Sequence, residues 1–162
     1  MSGSGSMSAR EYGITEQSVS VLLEEALSSF PEPPPLADGP VAPCFHTVFA
    51  HAHLTGIWSG AIALGVPVPV ASSLTSALFA IPADEISAVE RADMVGELVN
   101  LIAGNLKGLI RGGATLSLPV VLEGDDETIK NTTASLTGTV VVDFAYPFLG
   151  QLIAVRITEH EY

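Results

Sequence analysis

The spacing of apolar residues changes period several times along this chain, and each change marks an element. Val19, Leu22, Leu23, Ala26, Leu27 and Phe30 recur at helical spacing, and Thr15 can cap the helix that they predict. The run Pro31-Glu-Pro-Pro-Pro35 stops that helix and begins a loop rich in Pro, Gly and Asp that continues to Pro43. Cys44 to His53 and Ile57 to Val66 read as two strands that turn near Thr55-Gly56. A short helix from about Ala71 to Phe79 follows. Ser87 and Glu90 form a capping box for a long helix of about 24 residues, near Ala88 to Arg111, which Gly112-Gly113 ends. Thr115 to Leu122 reads as a strand, and Glu123-Gly-Asp-Asp-Glu127 as an acidic, solvent-exposed turn. Ser135 to Phe144 and Gln151 to Thr158 form a hairpin around Tyr146-Pro147. In its last strand Ile153, Val155 and Ile157 point one way, and Arg156 and Thr158 the other. This order predicts an α+β fold, a largely antiparallel sheet with helices packed on one face. It is expected as one domain over residues 15–162. Residues 1–14, which open Met1-Ser-Gly-Ser-Gly-Ser, read as a disordered tail or a cloning remnant.

The long helix departs from the usual amphipathic pattern. At about 100° per residue, Asp93, Glu97, Asn100, Gly104, Lys107 and Arg111 fall on one narrow lengthwise stripe. Nearly every other position from Met94 to Ile110 is apolar. A surface helix ordinarily has a wide polar face and a narrower apolar one; here the proportions are reversed. Gly96, Gly104 and Gly108 lie along or beside the stripe, and each weakens an isolated helix by roughly 1 kcal/mol relative to Ala. Two readings fit: a core helix whose glycines let a neighbouring element pack closely, or a buried helix that presents one ribbon of functional groups.

Composition narrows the function classes. With 162 residues, 48% of them hydrophobic and 15% charged, the chain can bury a substantial core. Its net charge of −12 argues against nucleic-acid binding and against an anionic membrane surface. The single cysteine, Cys44, excludes an intramolecular disulfide and a thiolate-rich metal site. Leu54 to Ala83 carries no charge, but Pro67, Pro69 and the hydroxyls of Ser72, Ser73, Thr75 and Ser76 argue against a membrane span. No secretory signal opens the sequence, so the expected location is the cytoplasm.

Familiar catalytic signatures are missing: there is no GxSxG, HExxH or phosphate-binding P-loop. His51 and His53 share one face of a predicted strand, but no third ligand stands near, and no metal site is expected. Asn131-Thr-Thr133 matches a glycosylation sequon that means little without a secretory signal, and Trp58 reads as core packing. Glu97 and Asn100 remain. A carboxylate and an amide three residues apart can orient a water, accept from a cation and donate to an oxyanion.

Here the sequence resembles a known family. Asp93-x-x-x-Glu97-x-x-Asn100, continuing to Gly104-Asn105, resembles the active-site helix of the CheX/CheC/FliY chemotaxis phosphatases. Thr115 to Gly124 is similar to that family's next strand and supplies its Pro, Pro119. The interval from Asn100 to Pro119 is a few residues shorter than the family's, which implies a tightened turn at Gly112-Gly113. The motif occurs once, since Glu24 and Glu25 have no Asn three residues later; a single site resembles the CheX type, known as a homodimer.

The resemblance implies a CheX-like domain that hydrolyses the aspartyl-phosphate of a CheY-like receiver domain by positioning an in-line water. It implies that Asn100 orients that water and that Glu97 pairs with the receiver's active-site Lys. Gly96, Gly104 and Pro119 would belong to the partner-binding surface. Asp93 is either a second docking group or a carboxylate that restrains the helix. Lys107 and Arg111 complement the helix dipole. No cofactor is expected on this chain, and Mg²⁺ is expected on the partner receiver. The alternative is a non-catalytic receiver-binding or flagellar-switch-like scaffold of the same fold.

Overall fold

The computed structural model describes residues 7–36, 46–133 and 136–160. The expected α+β architecture is present. Six strands form one antiparallel sheet: β1 (His46–Gly56), β2 (Gly60–Pro67), β3 (Ala114–Leu116), β4 (Val120–Asp125), β5 (Thr139–Phe148) and β6 (Gln151–Glu159). Their spatial order is β3-β1-β2-β6-β5, with β4 also on β1. Because Thr47 to His51 pair with both β2 and β4, and Leu54 with both β2 and β3, β4 lies on the same side of β1 as β3. The last strand in sequence is thus interior, between β2 and β5.

Alternation in the strands sorts the two faces. Val48, Ala50, Ala52 and Leu54 of β1, Ile62, Leu64 and Val66 of β2, and Ile153, Val155 and Ile157 of β6 are all buried. They meet α1 (Glu16–Ser28), α2 (Val68–Phe79) and α3 (Ala88–Lys107). Phe49, His51, His53, Ala154 and Arg156 lie on the opposite face, with α4 (Asp126–Thr133) beside β4. Thr15 caps α1 by accepting from the Ser18 amide at 3.2 Å, and Val19, Leu23, Ala26 and Leu27 form its buried face. The packed structure reaches N-terminal of Thr15: Ala9–Tyr12 forms a 3-10 turn, and Ala9, Tyr12 and Ile14 are buried in the core. The Glu159 carboxylate joins this turn to the sheet, accepting from the Ala9 amide at 2.9 Å and the Trp58 indole at 2.7 Å. Trp58 is a core residue, as expected. Among the described residues no helix is long and apolar enough to cross a membrane.

Several boundaries differ from the sequence reading. The β1–β2 turn lies at Ile57-Trp58-Ser59 instead of Thr55-Gly56, because Leu54, Thr55 and Gly56 pair with β3. The Cys44 end of the first predicted strand lies outside the described residues. The β5–β6 hairpin turns at Leu149-Gly150, with φ of 51° and 76°, not at Tyr146-Pro147. Two positive φ values in a two-residue loop match the right-handed twist of the strands, and Tyr146 and Pro147 stay in the ladder opposite Ile153 and Leu152. The predicted Thr115–Leu122 strand is two strands, broken at 117–119. The predicted acidic turn is instead the end of β4 and the start of α4, whose first amides favour Asp and Glu.

One of those acids anchors α3. Arg91 donates from Nε and Nη2 to the two oxygens of Glu123 at 2.7 and 2.9 Å, and from Nη1 to the Ile86 carbonyl at 3.0 Å. The pair is mostly shielded from water, with side chains 15% and 22% exposed. The Arg91 hydrogen bonds hold the Glu123 carboxyl below its ordinary range, against the opposing effect of burial. Arg91→Ala should cost roughly 1–3 kcal/mol by leaving Glu123 unpaired. Since the folded carboxyl titrates below its unfolded value, the pair's contribution is complete above that value, about pH 4.3, and is lost as pH falls through the folded one. Urea unfolding at several pH values should therefore show a parent–variant difference that is flat near neutrality and shrinks in acid. Gly60 gives a second expectation. A Cβ there would collide with the Thr158 carbonyl and the Trp58 ring, so Gly60→Ala should cost about 1–3 kcal/mol by overpacking, measurable as a lowered thermal midpoint.

Candidate functional site

The site is built on α3, and its start is fixed by sequence. Ser87 and Glu90 form the expected reciprocal capping box, with the Ser87 hydroxyl accepting from the Glu90 amide at 3.2 Å and Glu90 accepting from the Ser87 amide at 3.0 Å. These bonds lower the Glu90 carboxyl below its usual value. The helix is shorter than predicted: it spans 20 residues and ends at Lys107. Beyond it the amides of Gly108, Leu109 and Ile110 bond three residues back, so the chain tightens into turns before Gly112-Gly113. Arg111 therefore lies outside the helix and off the helical stripe.

The predicted division of α3 is present. Met94, Val95, Leu98, Val99, Ile102, Ala103 and Leu106 are buried, while Asp93, Glu97, Gly104 and Lys107 are exposed and Asn100 is half-exposed. Glu97 and Asn100 are neighbours on one face, where residues three apart place their Cβ atoms about 5–6 Å from each other. Among the described residues neither side chain has a hydrogen-bond or ion-pair partner. Two strong polar groups are thus held by a rigid helix without being consumed by the fold.

The two glycines of the site do different things. Gly104 faces open space, leaving the surface beyond Asn100 bare. Gly96 is buried, and a Cβ there would sit 3.4 Å from Val121 and 3.6 Å from Pro119. The close approach at Gly96 is therefore made by the protein's own edge strand. Pro119 consequently lies against the helix that carries Glu97 and Asn100, so the motif's separated parts meet in space.

His51 and His53 lie on the opposite face of the sheet. Their rings are 5.3 Å apart, and His160 stacks on His53 at 5.7 Å. Burial chiefly lowers both pKa values, helped at His51 by His53 and at His53 by His160. Among the described residues no group of three His, Cys, Asp or Glu side chains is arranged to hold a metal. A groove of about 460 Å³ on that face, lined in part by Phe49, Ala63, Ile129 and Arg156, includes none of the α3 stripe. Sequence reasoning missed Arg91, Glu123 and the local geometry around Leu118. The only available signal was Pro119 inside a predicted strand, since proline there marks an edge or a bulge.

Comparison with known proteins agrees with this geometry. The family model for chemotaxis phosphatase CheX matches residues 48–145. No curated protein sequence matches the chain. Among solved structures, the chemotaxis protein CheX of Vibrio vulnificus is 15% identical, with a TM-score of 0.64 over 95% of this chain and 99% of that one. CheX of Desulfovibrio desulfuricans is 18% identical, with a TM-score of 0.63 over 89% and 97%. The CheX of a CheX–CheY–BeF₃–Mg²⁺ complex from Borrelia burgdorferi is 21% identical, with a TM-score of 0.59 over 90% and 98%. With the family's helix and strand matched and its fold reproduced, the chain belongs to the CheX chemotaxis phosphatase family.

Proposed function

We propose that this protein is a phosphatase that removes the phosphoryl group from the aspartate of a CheY-like receiver domain, acting in the cytoplasm. One observation carries the reading: Glu97 and Asn100 stand side by side, accessible and unpartnered among the described residues, on a helix otherwise committed to the core. Family membership supports it, as does the solved complex of a Borrelia CheX with CheY.

The chemistry suits so sparse a site. In an acyl phosphate the leaving group is a carboxylate, which departs without needing a proton. Water attacks phosphorus in line, the acyl P–O bond breaks, and inorganic phosphate and the free aspartate result. No tuned general acid is required, which agrees with the place of His51 and His53 on the opposite face of the sheet from α3. The phosphatase contributes position and electrostatics, the principal sources of rate in phosphoryl transfer. Asn100 orients the water, because a neutral amide can donate to or accept from it without repelling the phosphoryl oxygens. Glu97 pairs with the receiver's active-site Lys and fixes the approach. Gly104 leaves room for the receiver's surface, and Asp93 lies one turn before Glu97 as a further docking group. Mg²⁺ enters only as part of the phosphorylated receiver.

The expected assembly is a homodimer. The β5 edge of the sheet is not among the strands on which α3 chiefly packs, so pairing there would leave the stripe accessible. Light scattering at micromolar concentration should give twice the chain mass; a monomer would contradict the assembly without touching the catalytic argument.

The decisive measurement separates enzyme from scaffold. Removing one preorganised polar group from a transition state costs about 10²–10³ in rate. Asn100→Ala should lose acceleration of receiver dephosphorylation on that scale while keeping its affinity for a fluoroberyllate-loaded receiver. Glu97→Ala should lose both rate and affinity. If Asn100→Ala is as fast as the parent, the mechanism is wrong, and retained binding would then favour the scaffold reading.

A further inference from the structure

The most exposed large apolar side chain among the described residues is Leu118, at 86%. Its position results from a change of register. Leu54 pairs with Leu116 at the end of β3, and His51 pairs with Val120 at the start of β4. Between these pairs Ala52 and His53 face Ser117, Leu118 and Pro119, one residue more than a regular ladder holds. The edge strand therefore carries a β-bulge. Ser117 fixes it: its amide donates to the His53 carbonyl at 2.9 Å, and its hydroxyl accepts from the His53 amide at 2.9 Å.

The bulge exchanges two residues between environments. In an unbroken strand Leu118 would share the helix-facing side with Leu116, and Val121 would face away. The extra residue instead sets Pro119 and Val121 against Gly96 of α3 and leaves Leu118, the residue before Pro119, in solvent. Burying Leu118 would have been the stabilising choice for the isolated chain. The edge is also poorly suited to pairing with a second copy. Pro119 has no amide to donate, and a bulge disrupts the ladder that an added strand would need.

Charge indicates what kind of contact a partner needs here. The chain carries −12 overall, and its stripe contributes Asp93 and Glu97, while a phosphorylated aspartate is itself anionic. The phosphoryl group and this chain repel at long range, so apolar burial close to the site would add to the affinity that the Glu97–Lys pair supplies. We propose that Leu118 is the apolar anchor of the receiver complex, inserting into an apolar depression beside the phosphorylation site while Glu97 and Asn100 reach the phosphoryl group. This rests on the phosphatase reading and adds to Glu97 a second residue that sets partner affinity.

The test is Leu118→Ser, titrated against the CheY-like receivers of the source organism loaded with fluoroberyllate and Mg²⁺, and assayed for dephosphorylation of their phosphorylated forms. Losing one buried leucine should weaken affinity and raise KM about 10-fold to 100-fold, with kcat within about threefold of the parent, the opposite split from Asn100→Ala. Unchanged affinity overturns the proposal. So does a loss of affinity together with a fall in light-scattering mass, which would assign Leu118 to a contact between copies. If the parent binds a receiver without dephosphorylating it and Leu118→Ser abolishes that binding, the anchor stands and the phosphatase reading falls. If no receiver binds the parent, both fall.

Discussion

A helix that is apolar around most of its circumference has to be enclosed from more than one direction, and α3 imposes that condition on the rest of the protein. The sheet beneath it cannot meet the need alone. The α1 and α2 helices pack against its flanks, and the broken edge strand closes over Gly96. What remains uncovered is a strip too narrow for another element of the same chain, and the polar residues of α3 occupy it. The site is thus defined by what the core leaves over. Its rigidity has the same origin, because each exposed group is attached to a helix whose remaining faces are locked by packing.

This origin explains how much could be read from sequence. The α3 pattern, its Ser87–Glu90 cap and the Glu97/Asn100 pair were legible because helical periodicity and capping are local properties. The buried alternation of β1 and β6 was legible for the same reason. The misplaced features depend on partners distant in sequence. The alternation Leu116, Leu118, Val120 reads as one strand face, and only the register of β1 shows that the face switches at Pro119. Glu123 reads as a solvated acid until Arg91 is brought to it from 32 residues away. The end of α3 was placed too late because Leu109 and Ile110 continue the apolar period after the hydrogen bonding has tightened into turns.

Gly96 shows how one missing side chain fits two readings, and in the fold Pro119 and Val121 of the same chain lie against it. Its missing side chain signals a close approach, and sequence alone does not say from which side. A surface opening for a partner and a seat for the chain's own proline are the same signal in one dimension. Gly104, a little further along α3, has no such occupant. Electrostatics separates the two sheet faces in a similar way. His51 and His53, whose titration would be the usual first suspicion for catalysis, sit opposite the helix layer, and the face that carries the proposed chemistry offers a carboxylate and an amide instead.

The interior place of β6 has a consequence for how the protein is made. Every other strand leaves the ribosome before it, yet β2 and β5 have no partner in common until it arrives. Until then β2 exposes one unsatisfied edge. Among the described residues β6 is the one strand that pairs with β5, so until then β5 has no strand partner there. The nascent chain therefore waits with two open strand edges, a state exposed to mispairing. The helix bearing Glu97 and Asn100 is thus synthesised before the sheet on which it rests can be complete.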